Sequence, residues 1–247
     1  MRVRIIGTGL VGSSLGMALR RAGLDVLLED LSPSHAKVAA GLGAGRVARD
    51  DEPVDVVVVA SPPTTIAGVV TRMLERHPEA VVTDVGSVKS SIIRAVTAAS
   101  NRPERYVPGH PMAGSQLTGP LTASADLFTD RTWVITPRAG NSPEDVDLVH
   151  RLARLCGARV VELDADLHDE AVAQVSHVPH LMSILTASHL RGVPGENLIL
   201  AGQGIRDVTR IAGSDPGLWR QIITTNSAAI RRELNEVAAD LEYLIGV

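Results

Sequence analysis

The chain has 247 residues but a single cysteine, Cys156, so no internal disulfide can form. It has only two lysines, Lys37 and Lys89, among 24 basic residues, and with 28 acidic residues the net charge is −4. No basic footprint for a nucleic acid exists in such a chain. No apolar run reaches the ~18 residues of a membrane span, because Gly, Arg, Asp and Ser interrupt every candidate. Met1 runs straight into the strand-like residues 2 to 6 with no leader ahead of them. The expectation is a protein of the reducing cytoplasm, with neither nucleic acid nor membrane as partner. What is present is the mixture of a globular protein, 45% hydrophobic and 21% charged. The length exceeds what one ordinary core needs, which favours two unequal domains.

Residues 3 to 6 read as a buried strand, and "GTGLVGSSLGMALRRAG" as a glycine-rich turn entering a helix that stops at Gly23. Residues 25 to 29 form a second strand closed by Asp30, and "SPSHAKVAAGLGA" a short helix with a Ser N-cap and a glycine stop. "DVVVVA" (55 to 60) is a strand buried on both faces, and "PEAVVTDVGS" (78 to 87) contains another, with a helix over 62 to 77 between them. This alternation predicts an α/β fold with a parallel sheet. The strands at 131 to 137 and 158 to 163, around a helix near 143 to 156, are expected to extend that sheet. From Asp164 onward only helical stretches remain, over 165–191, 196–212 and 215–245. The predicted organisation is therefore a dinucleotide-binding Rossmann domain over 1–164 and an all-helical dimerisation and substrate domain over 165–247. The tail is too small and too apolar to stand alone, which predicts a homodimer formed through it.

Gly7-Thr8-Gly9-Leu10-Val11-Gly12 follows the first strand and opens the first helix. The first glycine turns the chain, the second lets backbone approach a pyrophosphate, and the third lets helix meet strand; the helix N-terminus then holds the phosphate. Gly7, Gly9, Leu10 and Gly12 are cofactor-binding candidates, as is Ser61 after the strand of valines. Asp30 ends the second strand 18 residues after Gly12. Its carboxylate suits the hydroxyls of an adenosine ribose and repels a 2′-phosphate, so NAD is favoured over NADP; a strand-end N-cap is the alternative role.

"PGHPMAGS" (108 to 115) places a histidine between two prolines, in the region where strand ends of an open α/β sheet present ligand-binding loops. Pro111 restricts His110 to extended backbone and Gly114 permits a sharp turn, so the chain itself can aim the imidazole. Such a group can take a proton from a substrate hydroxyl as hydride leaves the same carbon. Further on, His177 and His180 lie three apart, but no acid or cysteine stands nearby in "AQVSHVPHLMSIL" and Pro179 distorts the helix, which speaks against a metal. Arg206 and Arg210 are four apart, and either can meet a carboxylate or pair with a neighbouring acid.

"GxGLVGSSLG", "TDVGSVKSSI", "PGHPMAGSQLTGP", "LFTDRTWVITP", "DADLHDEAVAQVSHVPH" and "GIRDVTRIAGSDPGLWRQI", in that order, resemble the prephenate/arogenate dehydrogenase family of tyrosine biosynthesis. The resemblance spans nearly the whole chain and implies NAD(P)-dependent oxidative decarboxylation of a cyclohexadienol. It implies that His110 accepts the proton of the ring 4-hydroxyl while C4 gives up hydride. It places Ser87 beside that hydroxyl and the nicotinamide, an N-cap being its other role, and gives Lys89 little weight beside a solvated helix position. It assigns Arg210 to a substrate carboxylate, a pocket-lining role to the region of His177, and substrate contacts to Ser115 and Gln116. Trp219 and Asp215 fall near the dimer interface. Where some relatives carry an acid, Gln116 is neutral and lacks attraction for the ammonium of arogenate, which favours prephenate. Two other readings are a β-hydroxyacid dehydrogenase or imine reductase, and a non-catalytic NAD-binding sensor. Against the first, no lysine lies beyond residue 164; against the second, His110, Ser87 and Arg210 are all present.

Overall fold

The computed structural model describes residues 1–49, 52–114 and 117–247, which form two compact units, Met1–His168 and Asp169–Val247. The first unit runs β1 (Arg2–Ile6), α1 (Leu10–Arg21), β2 (Asp25–Glu29), α2 (Pro33–Gly41), β3 (Arg46–Val47), β4 (Val56–Val59), α3 (Pro63–Arg76), β5 (Val81–Asp84), α4 (Ser90–Ala99), β6 (Gly109–Pro111), β7 (Thr132–Ile135), α5 (Pro143–Leu155), β8 (Arg159–Glu162) and α6 (Ala165–Val172). The division between units falls within α6.

A parallel five-stranded sheet in the order β3-β2-β1-β4-β5 is the Rossmann-like centre of this unit. The period of two sorts its side chains onto two faces. Val3, Ile5, Val26, Leu28, Val56 and Val58 join Leu15 and Leu19 of α1 and Leu152 of α5 in one core; Val57, Val59 and Val82 join Ile66, Val70 and Leu74 of α3 in the other. Each valine of β4 is fully buried, at about 1.5–3 kcal/mol of apolar transfer per side chain, so this strand anchors both layers.

The later strands depart from the expected extension of that sheet. β6, β7 and β8 form a separate three-stranded sheet, β6 antiparallel to β7 and β7 parallel to β8. Among the described residues a single parallel bridge, Val82 to Tyr106, leads from β5 toward it, with Val107 N donating to Val82 O at 2.9 Å. The ladder stops there because side chains take the next backbone groups: Gly109 N reaches the Asp84 carboxylate and Gly109 O accepts from Lys89. Paired with Val134 of β7, His110 sits in a short strand, not in the loop expected from sequence.

The second unit is helical. A π-helical turn (Ala173–His177) precedes α7 (Val178–His189), and α8 (Gly195–Leu198), α9 (Gln203–Thr209), α10 (Pro216–Thr225) and α11 (Ser227–Gly246) follow. The three long helical stretches expected from sequence are thus broken into shorter pieces. Pro179 occupies the first turn of α7, where a missing N–H costs least, and the wider π turn before it absorbs the mismatch. Asn226, at φ −115° and ψ 26°, separates α10 from α11. Ala173, Val178, Ala229 and Ile230 form the unit's small core, while Leu185, Ile199, Leu200, Val208, Leu244 and Ile245 are exposed. No helix among the described residues is long and apolar enough to cross a membrane.

Candidate active site

The three loop glycines have three different steric environments. Gly7 has φ +98°, and a Cβ there would stand 2.5 Å from Ala60 O and 3.1 Å from Ser61 N. Gly12 lies so close to the start of the loop that a Cβ would stand 1.9 Å from Gly7 O. At Gly9, the N-cap of α1, a Cβ would meet nothing within 4 Å. Two glycines are therefore needed by the fold, and the third faces open space at the positive end of a helix whose first turn carries no acid. Such a cradle, with Leu10 opening the helix over it, has the shape and polarity that can hold a pyrophosphate. Ser61 lies beside it, half-buried, its hydroxyl accepting from Thr65 Oγ1 at 3.0 Å.

Asp30 is tied to the same loop. Its Oδ2 accepts from Thr8 N at 2.6 Å and from Thr8 Oγ1 at 2.8 Å, and its Oδ1 accepts from Ser32 N at 2.8 Å. The carboxylate is thus fixed beside the cradle, as a ribose-binding acid needs to be. Glu29, one residue earlier, is turned to a different task and pairs with buried Arg4 at 2.7 Å and with Arg76 at 3.0 Å. The residues present fit a dinucleotide with an unphosphorylated ribose.

The loop from β5 to α4 carries Ser87, half-buried, its hydroxyl without a hydrogen-bond partner among the described residues. The N-cap of α4 is Lys89, so the capping role open to Ser87 from sequence is not the one it has. Lys89 itself is fully buried, contrary to the expected solvated helix position. Its ammonium pairs with the fully buried Asp84 at short range and donates to Gly109 O at 2.6 Å. Asp84 also accepts from Gly86 N at 2.9 Å, Tyr106 Oη at 2.8 Å and Gly109 N at 3.3 Å. Burial, followed by the neighbouring Asp84 charge, pushes the Tyr106 hydroxyl well above its usual range and keeps it a donor.

His110 is 8% exposed, its Nδ1 2.9 Å from Nε2 of the buried His168 and the two rings edge to face. One proton must lie between those nitrogens. If it sits on His110 Nδ1, the lone pair is on Nε2 and the imidazole is a base directed by its neighbour. Ser90 at the start of α4 donates to Asp166 of α6, which holds the helix carrying His168.

The other candidates lie in the second unit. His177 is buried, its Nδ1 3.2 Å from Asn226 Nδ2 and its ring edge-on to Trp219. His180 stacks on the same indole, with centroids 3.4 Å apart, and burial lowers its pKa. Arg210 opens a 3₁₀ turn (Arg210–Gly213), is exposed and has no ion pair or hydrogen bond among the described residues; Asp207, a possible partner, accepts from Gln203 instead. Asp215 caps α10 by accepting from Leu218 N at 2.6 Å. Ser115 and Gln116 lie outside the described residues. No group of three or more metal-ligating side chains occurs among the described residues.

Sequence reasoning passed over Asp84, Tyr106 and His168 and discounted Lys89. The signals available were a lysine in a chain with two of them, and an acid ending a strand of β-branched residues.

Known proteins match the chain along its length. A family model described as "Prephenate dehydrogenase, nucleotide-binding domain" matches residues 15–162, and one described as "Prephenate dehydrogenase, dimerization domain" matches residues 164–246. A probable prephenate dehydrogenase of Streptomyces niveus is 36% identical over 98% of this chain and 67% of its own length. The crystal structure of an Aquifex aeolicus prephenate dehydrogenase in complex with hydroxyphenyl propionate and NAD+ has 28% identity and a TM-score of 0.91, covering 100% of this chain and 90% of that one. An arogenate dehydrogenase of Synechocystis has 27% identity and a TM-score of 0.83, over 100% of this chain and 91% of that one. The nucleotide-binding model falls on the Rossmann-like unit and the dimerization model on the helical one: the chain is a dehydrogenase and belongs to the prephenate dehydrogenase family.

Proposed function

We propose that the chain is an NAD-dependent prephenate dehydrogenase that converts prephenate to 4-hydroxyphenylpyruvate by oxidative decarboxylation, working in the cytoplasm as a homodimer joined through residues 165–247. The observation that carries this reading is His110, buried, preceded by a peptide fixed on both sides and aimed by its contact with His168. A nonspecific histidine needs none of these.

When bound, NAD accepts the two electrons that leave ring carbon C4 as hydride. Gly7, Gly9, Leu10, Gly12 and Ser61 would hold its pyrophosphate side and Asp30 its ribose hydroxyls. His110 Nε2 takes the proton of the 4-hydroxyl, so the C–O bond gains the electron pair it needs as hydride departs. Ser87 orients that hydroxyl. Loss of the ring carboxylate as CO₂ then sends its bonding pair through the ring, which becomes aromatic, to the oxygen on C4, and His110 returns the proton to that oxygen. Arg210 grips a substrate carboxylate through two parallel N–H bonds, and an exposed guanidinium without an internal partner is suited to that. His177 lines the pocket, and Ser115 and Gln116 contact the substrate side chain. A neutral Gln116 favours the keto acid prephenate over the ammonium-bearing arogenate.

The test is purified protein with NAD or NADP and each substrate in turn, followed at the NADH absorbance band. NAD with prephenate is expected to be fastest. Faster turnover of arogenate would make that the substrate, and no reduced cofactor from either would reject the reading.

A further inference from the structure

We propose that Asp84 and Lys89 are a positioning pair that fixes the His110 imidazole relative to the Ser87 loop. The inference rests on the reading of His110 as proton acceptor. Both charges are fully buried and bound to each other. Such a pair is a poor stabiliser, because the desolvation of two ions offsets most of their attraction, and well-packed apolar residues in its place are often as stable. What this pair does have is position. Both backbone polar groups of Gly109, the residue before His110, end on it: the N–H on Asp84 Oδ1 at 3.3 Å and the carbonyl on Lys89 Nζ at 2.6 Å. Gly86 N–H, the residue before Ser87, ends on the other oxygen of the same carboxylate at 2.9 Å.

One ion pair therefore grips the peptides ahead of both candidate catalytic side chains. Pro111 limits His110 from the other side by fixing the chain after it. The fit is tight, since a Cβ on Gly109 would stand 3.0 Å from Trp133 Nε1 and 3.1 Å from Asp84 O. The Tyr106 hydroxyl at 2.8 Å completes the carboxylate and ties in the start of the same segment. Without this arrangement Gly109 would have open backbone groups on its β5 side, and the strand holding His110 would be held by β7 alone.

The experiment is the charge-neutral double variant Asp84→Asn with Lys89→Met, which leaves no lone buried ion. The expected result is a kcat loss on the order of 10²-fold, as for a reacting group misplaced by about 1 Å, with little change in KM or in the Kd for NAD. Carbethoxylation of His110 by diethyl pyrocarbonate, measured by peptide mass spectrometry against the exposed His35 as internal standard, is expected to speed up. A lower melting temperature with unchanged kcat and unchanged His110 reactivity would mean a structural ion pair and would overturn the proposal. If the double variant does not fold, Tyr106→Phe decides, because it removes one donor and no charge. A smaller kcat loss at constant KM, with faster His110 modification, supports the proposal; wild-type values for both overturn it. If the wild type reduces NAD with neither substrate, the functional reading fails, and the His110 modification ratio still decides the positioning claim.

Discussion

A methyl group added at Gly9, and separately at Gly12, should separate cofactor binding from folding. At Gly12 the new Cβ would stand 1.9 Å from Gly7 O, so α1 must withdraw from the end of β1 by about 1.5 Å to restore ordinary contact. Overpacking of that kind costs about 1–3 kcal/mol. In a unit of this size it lowers the melting temperature by roughly 2–12 °C, and it takes the cradle with it. At Gly9 the backbone has φ −70° and open space where the Cβ would go, so no clash follows. Alanine is a poorer N-cap than glycine, worth at most about 1 kcal/mol. The methyl nevertheless stands where a pyrophosphate oxygen must approach. An overlap of about 1–3 kcal/mol there weakens NAD binding by roughly 5- to 150-fold. Thermal unfolding and calorimetric titration of NAD into each variant read the two effects separately. Wild-type NAD affinity in Gly9→Ala would refute the assignment of this loop to the pyrophosphate.

His110→Asn is expected to lose turnover by about 10²-fold or more while its Kd for NAD stays unchanged, because a positioned general base contributes that much; stopped-flow and equilibrium titration check the two halves. Asp30→Asn should narrow the preference for NAD over NADP, measured as the ratio of the two Kd values, since the repulsion of a 2′-phosphate goes with the charge. Burial pushes the Cys156 thiol up to about 12. Above the ordinary thiol pKa of 9.0 the unfolded chain loses a proton that the folded chain keeps, so stability present at lower pH is lost as pH rises through that window. Urea unfolding should therefore show about 1.4 kcal/mol less stability at pH 10 than at pH 8 from this group, and Cys156→Ala should remove that part of the decline.

The strand, glycine turn and helix over residues 2–21 were legible because much of their physics is local. Gly12 answers a steric demand set within one strand, one turn and one helix, since its missing Cβ would meet Gly7 O, and the spacing records it; the demand on Gly7 comes from Ala60 and Ser61 far along the chain, and nothing in the fold crowds Gly9. The valines of β4 likewise announce a strand covered on both faces. Lys89 was misread because, although Asp84 stands only five residues before it, nothing in the sequence shows that the turn after β5 folds the two together or that a carbonyl 20 residues away at Gly109 closes over the ammonium. His168 stands 58 residues from His110, so nothing in the "HPMAGS" stretch hints at a second imidazole. The separate three-stranded sheet was missed because an apolar strand reads alike wherever it pairs; what diverts it is the Asp84 carboxylate and the Lys89 ammonium occupying Gly109. In the helical part, the periodicity located helices but not the π turn, which follows from Pro179 sitting just inside α7.

The central proposal is that His110 accepts a proton from the substrate and that Arg210 binds a substrate carboxylate. Its most direct test is titration of prephenate, with NAD saturating, into His110→Asn and into His110→Asn with Arg210→Ala, where turnover is too slow to interfere. The single variant should bind prephenate with a Kd close to the wild-type KM, and the second substitution should weaken binding by about 2 kcal/mol or more, roughly 30-fold. Equal affinity in the two variants would show that Arg210 does not meet the substrate and would contradict the account.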